Sequence, residues 1–315
     1  MTTCSTGCRS CDVPLAPSGE QIEIALGDQR AVVVSVGGGL RSYAVAGRDL
    51  LDAYAESELS TSGRGQVLIP WPNRVQAGTY EFEGRTHQLA LDDLPAGNAI
   101  HGLVRWAGWR IAEREASRVV VEHTLHPQPG YPHALALSIE YTLWPGGLEV
   151  RTTARNLGSD PCPFGSGAHP YLTVGTPSVD SVLLHVPAGS VLQSDEHGIP
   201  TSSAGVDGTE YDFRRPRPIG STRLDTAFTG LERDKDGLAR VELRQPDHGG
   251  GLVLWVDDNY RYLMLYTGDD RPDVRRRSLA VEPMTCPPNA FRSGDDLIVL
   301  EPGASFQSTW GIGPL

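Results

Sequence analysis

The 315-residue chain has no apolar run long enough to span a bilayer and no stretch with a sustained helical stripe. The first absence argues against a membrane partner, and the second against a helical bundle. Positive charge is also scarce: 27 Lys and Arg face 39 Asp and Glu, a formal net charge of −12. Such a surface repels phosphate backbones, so nucleic acid is not expected as a partner and a neutral small molecule fits better. The short basic stretches Arg214-Arg215-Pro216-Arg217 and Arg275-Arg276-Arg277 read as solvated loop charges. Five cysteines are too few, and odd in number, for a disulfide framework. The first residues lack an apolar segment of the secretory kind, so a cytoplasmic location is expected.

Three of the cysteines, Cys4, Cys8 and Cys11, have the C-x3-C-x2-C spacing of an iron–sulfur cluster signature. That chemistry needs alternating β and α segments around the cluster, and no such alternation follows. The expectation is a flexible extension over residues 1–20 with incidental thiols, followed by one domain over residues 21–315.

What the chain has in quantity is turn formers: 36 Gly and 24 Pro, spread along its length. Between them lie short β-type runs: Ala31 to Val36, Leu40 to Ala46, Arg118 to Leu125, Ala134 to Leu143, Leu148 to Asn156, Ser181 to Val186, Ala239 to Arg244, Gly251 to Val256, Tyr262 to Tyr266 and Ser278 to Val281. In Leu148 to Asn156 the apolar or small residues alternate with Glu149, Arg151, Thr153 and Arg155, the pattern of a strand with one wet face. Hydrophobic residues make up 39% of the chain, enough for a sizeable core. The predicted architecture is all-β, a single large sandwich.

Candidate chemistry sits in turns. His101 lies in Asn98-Ala99-Ile100-His101-Gly102, His169 in Gly165-Ser166-Gly167-Ala168-His169-Pro170-Tyr171, and His248 in a Gly-rich hairpin where an exposed turn residue is expected. Glu282 follows the apolar run Leu279-Ala280-Val281. A carboxylate buried beside such a strand loses hydration, gains pKa and becomes a better base; the alternative is a position on the wet face. Arg74, in Pro70-Trp71-Pro72-Asn73-Arg74, could hold a polar ring compound or stack on Trp71. Asp225 could accept hydrogen bonds from hydroxyl groups or simply start a turn.

Taken in order, Pro70 to Gly78, Asn98 to Arg105, Gly165 to Leu172, Leu224 to Phe228, Ala280 to Pro288 and Leu300-Glu301-Pro302-Gly303 resemble the aldose 1-epimerase (galactose mutarotase) family. The resemblance implies a galactose mutarotase-like β-supersandwich, with His169 as general acid and Glu282 as general base. It also implies a monosaccharide held by Arg74, His101, Asp225 and Tyr171, and no metal or cofactor. A monomer or homodimer is expected. The family typically has Glu-Thr-Gln where this chain has Glu282-Pro283-Met284, which bears on sugar preference. Alternatives are a metal site of His101, His169 and Glu282, a non-catalytic sugar-binding protein, and an epimerase for hexose 6-phosphates or other anionic sugars using Arg41, Arg105 or Arg223.

Overall fold

The computed structural model describes residues 15–247, 249–272 and 275–315. Cys4, Cys8, Cys11 and His248 lie outside the described residues, as does most of the expected extension. Within them the chain is almost entirely β, and the α-helix Ala290–Ser293 is a single turn. Among the described residues no helix is long and apolar enough to cross a membrane.

Two large antiparallel sheets dominate, one of nine strands and one of eight, with a four-stranded sheet formed by the first strands. The nine-stranded sheet is built from long hairpins. Leu135–Trp144 pairs with Gly147–Asn156 across a two-residue turn at Pro145 and Gly146. Along Leu135–Trp144 every second residue is buried, so Leu135, Leu137, Ile139, Tyr141 and Leu143 all face inward. Residues of both large sheets meet in one hydrophobic core. Each fully buried Val, Leu or Ile contributes roughly 1.5–3 kcal/mol.

The eight-stranded sheet carries the candidate site. From its second strand to its edge the order is Ala188–Ser194, Asp225–Leu231, Tyr262–Tyr266, Leu279–Met284, Gly167–Ala168 and Val67–Leu68. Several strands match their predicted bounds, among them Ala239–Arg244, Gly251–Val256 and Tyr262–Tyr266. The last predicted run, Ser278 to Val281, extends instead through Glu282 and Pro283 to Met284. Proline donates no ladder bond, yet pairing continues on both sides of it, with Met264 opposite Glu282 and Tyr262 opposite Met284.

Period-2 geometry then sorts the side chains. Leu279 and Val281 join the main core, while Ala280 and Met284 belong to small clusters on the opposite face. Glu282 shares that second face. The register lines up two rows across it, Glu282–Met264–Ala227–Leu192 and Tyr171–Ala280–Tyr266–Asp225.

Candidate active site

Glu282 points away from the main core but is only 2% exposed. Burial is the main reason its pKa is raised well above the ordinary carboxylate range; the charge of Asp225 adds to this and Arg74 opposes it. The cover comes from His169, which stands between the short strands Gly167–Ala168 and Tyr171–Leu172. Its backbone is pinned on both sides: the His169 N–H donates to the Gln66 carbonyl at 3.0 Å, and its carbonyl accepts from the Gly65 N–H at 2.9 Å.

The imidazole of His169 is gripped on every side. Nε2 lies 3.2 Å from Glu282 Oε1. The Tyr171 ring stacks on it at 5.0 Å and 13°, and the His101 ring meets it edge-on at 5.3 Å and 74°. Gly63 closes the remaining side in left-handed backbone, so near that a Cβ there would fall 2.5 Å from His169 Cδ2. Burial pushes the His169 pKa down to about 3, and the charges of Arg105 and Arg64 push the same way. Burial therefore drives both members of the pair toward their neutral forms, imidazole and carboxylic acid. Among the described residues, His169 Nδ1 and Glu282 Oε2 have no hydrogen-bond partner. Unpaired buried polar atoms cost roughly 1–3 kcal/mol each.

His101 follows the strand Ala99–Ile100 with φ 62°, and Asn73 opposite it has φ 54°. The two are doubly bonded: the His101 N–H donates to the Asn73 carbonyl at 2.9 Å, and the Asn73 N–H donates to His101 Nδ1 at 3.2 Å. Burial lowers the pKa of His101 well below its ordinary value, with His169 and then Arg105 and Arg74 adding to this. The ring is therefore neutral, its Nδ1 is an acceptor, and Nε2 carries the proton.

This tautomer bears on the metal alternative. Donor atoms of His101, His169 and Glu282 all lie within 4.8 Å of one another, so by composition they form a two-histidine, one-carboxylate group. A metal ligated by His101 Nε2 would require the proton on Nδ1, where it would face the Asn73 N–H, donor against donor. The donor set does not fit a resident metal.

Arg74 and Asp225 line an open cleft of about 720 Å³, together with Gln193, His197, Thr201 and Asp270. Such a volume is within the range of small-molecule sites. Arg74 sits on the strand Arg74–Val75, paired with Ala99–Ile100, and its Nε donates to Asp93 Oδ2 at 2.7 Å. Gly198 lies against the guanidinium; the cation–ring contacts among the described residues are those of Arg64 with Tyr171 and Arg217 with Phe213, so Arg74 does not stack on Trp71. Asp225 opens the strand Asp225–Leu231 and reaches solvent, yet the cleft walls strip enough of its water to raise its pKa, with Arg74 opposing. Tyr171 is 1% exposed, its hydroxyl donates to the Ser62 carbonyl at 2.8 Å, and its ring lies between Arg64 and His169.

His169, Glu282 and His101 thus cluster, with Tyr171 behind them and Arg74 and Asp225 at the cleft. Of the arginines considered for an anionic sugar, Arg105 pairs with Asp92, Arg41 donates to the Tyr54 carbonyl, and Arg223 is exposed. Sequence reasoning missed Asp92, Asp93, Asn73, Gly63 and Gly198. The acidic doublet Asp92-Asp93, shortly before Asn98, was the available signal.

A family model described as aldose 1-epimerase matches residues 20–312. The uncharacterized protein YihR of Escherichia coli (strain K12) is 37% identical over 287 residues, covering 91% of this chain and 90% of its own. Galactose mutarotase of Sus scrofa is 29% identical over 224 residues, 65% of this chain and 62% of that protein. Among solved structures, the GalM/aldose epimerase homologue from C. elegans has a TM-score of 0.84 at 18% identity, over 94% of this chain and 98% of that one.

Proposed function

The chain belongs to the aldose 1-epimerase family, and on that premise we propose that it interconverts the α and β anomers of a hexose by ring opening, with Glu282 as general base and His169 as general acid. The observation that carries the reading is the 3.2 Å contact between His169 Nε2 and Glu282 Oε1, both buried, with Glu282 on the sheet face whose register also carries Asp225 of the cleft.

Anomer exchange needs a proton removed from the C1 hydroxyl and one delivered to the ring oxygen. Glu282 as carboxylate takes the first, and His169 as imidazolium gives the second. The C1–O5 bond breaks, the free aldehyde turns about C1–C2, and closure on the other carbonyl face returns both protons. The pair holds one proton in common throughout, so nothing is consumed. After ring opening it stands as carboxylic acid and neutral imidazole, the distribution that burial favours for both groups. Arg74, Asp225 and the Nε2–H of His101 hold sugar oxygens, and Tyr171 keeps the His169 ring in plane. A protein that only bound sugar would have no use for a matched acid–base pair in contact.

The test follows the optical rotation of freshly dissolved α-glucose and α-galactose with wild type, His169→Asn and Glu282→Gln. Wild type accelerates the approach to equilibrium and both variants lose most of that rate. If no hexose equilibrates faster with the protein than in buffer, the proposal fails.

A further inference from the structure

Arg74 is a cation set among several carboxylates, Asp93, Asp225, Glu282 and Asp195. Asp93 holds it from behind, Asp225 shares the cleft lining with it, and both Asp225 and Glu282 lie near enough to act on it electrostatically. Arg74 and Asp225 can serve a sugar only while they do not neutralise each other. We propose that Asp93 is a positioning residue that keeps Arg74 off Asp225 and turned toward the substrate; this rests on the function proposed above.

The geometry around Asp93 is built for that task. Its carboxylate takes the Nε edge of Arg74 at 2.7 Å, which leaves the terminal nitrogens for other acceptors. Both side chains are largely buried, at 18% and 15% exposure, so the pair is screened far less than a surface ion pair. On the far side Gly198 admits the guanidinium where a Cβ would come within 2.4 Å of Nη1. Asn98 ties the two walls together: its carbonyl accepts from the Asp93 N–H at 3.0 Å, and its side-chain amide donates to the His197 carbonyl at 3.0 Å. The neighbouring Asp92 pairs with Arg105 and accepts from the Ile100 N–H at 2.8 Å, just before His101. The doublet therefore steadies two turns that carry sugar-facing groups.

If Asp93 loses its charge, Arg74 is left to the carboxylates of the cleft lining, Asp225 among them. Binding a sugar would then require breaking an Arg74–Asp225 pair first, which raises KM and leaves the proton-transfer step intact. Asp93→Asn keeps the shape, so it is the primary variant. Its KM rises about tenfold while kcat stays within about threefold, and Asp93→Glu recovers part of the loss. The deciding measurement is a double-mutant cycle with Arg74→Ala, read both as mutarotation rate and as sugar affinity by calorimetry. In the Arg74→Ala background, Asp93→Asn adds no further loss. Additive losses, or an Asp93→Asn enzyme with unchanged KM and affinity, overturn the assignment. An inactive wild type that still shows the cycle in affinity sinks only the proposed reaction, and a wild type that neither turns over nor binds sugar sinks both.

Discussion

Replacing Gly63 by alanine would push a methyl group into the imidazole of His169. The added Cβ would stand 2.5 Å from Cδ2 and 2.8 Å from Nε2, so the ring must retreat about 0.9 Å to reach the 3.4 Å edge of ordinary contact. It has nowhere to retreat without loss. Tyr171 is stacked on one face, His101 meets an edge, and Glu282 holds Nε2. Overpacking of this kind costs about 1–3 kcal/mol, and an alanine forced to positive φ costs about 1 kcal/mol more. A misplacement near 1 Å in an acid–base group can lower the rate by about 10²-fold. Gly47 supplies the control: its φ is +74°, close to the +76° of Gly63, and a Cβ there meets nothing within 4 Å. Gly47→Ala should therefore lose about 1 kcal/mol of stability and no activity. Both variants are compared by polarimetric mutarotation and by urea unfolding. If Gly63→Ala matches Gly47→Ala in rate, then His169 does not need its observed position and its assignment as the acid is wrong.

Glu282→Gln should unfold later than wild type at alkaline pH while losing most activity. The folded pKa of Glu282 is raised, so wild-type stability declines as pH climbs from the ordinary carboxylate range toward the folded value, by about 1.4 kcal/mol per unit at most. The gap between the two proteins should close in acid, and a gap independent of pH would refute the burial argument. His169 has the opposite sign: its pKa falls to about 3 on folding, so its contribution is full above about pH 6.5 and lost as pH drops toward 3. His169→Asn should flatten that part of the stability profile, as thermal melts across pH would show. Imidazole nitrogen NMR should find His101 protonated at Nε2 and bare at Nδ1; the reverse tautomer would reopen the metal alternative. Dialysis against a chelator should leave mutarotation unchanged, and loss restored by a divalent metal would contradict that tautomer.

Much of the fold was readable because strands such as Tyr262–Tyr266 and Gly251–Val256 are short apolar runs bounded by turn formers. Glu282 shows where such reading stops. Alternation with Leu279 and Val281 assigns it to the face away from the core, which left the buried and the wet-face readings both open. That assignment of face is right, but His169, backed by Gly63, covers Glu282, and local periodicity carries no trace of a cover supplied from elsewhere in the chain. The end of the strand was missed because Pro283 signals a stop while the pairing runs on. His169, Glu282, His101, Arg74 and Asp225 were legible from ordered motifs. Their supports were not, since the bond of Asp93 to Arg74 and the closeness of Gly63 to His169 are made across folded distances by residues of ordinary type.

The two rows of side chains on the eight-stranded sheet amount to a ruler. Strands in a sheet repeat at about 4.8 Å, so Glu282 and Asp225 are separated by a fixed two graduations, with Met264 and Tyr266 on the strand between them. The rigid backbone sets the span between the proposed proton-transfer end and the proposed hydroxyl-holding end. Exchanging a residue on the middle strand changes the surface a sugar lies on without moving either end. A lineage could retune its sugar in this way, one graduation at a time, while the paired acid and base stay where the sheet has put them.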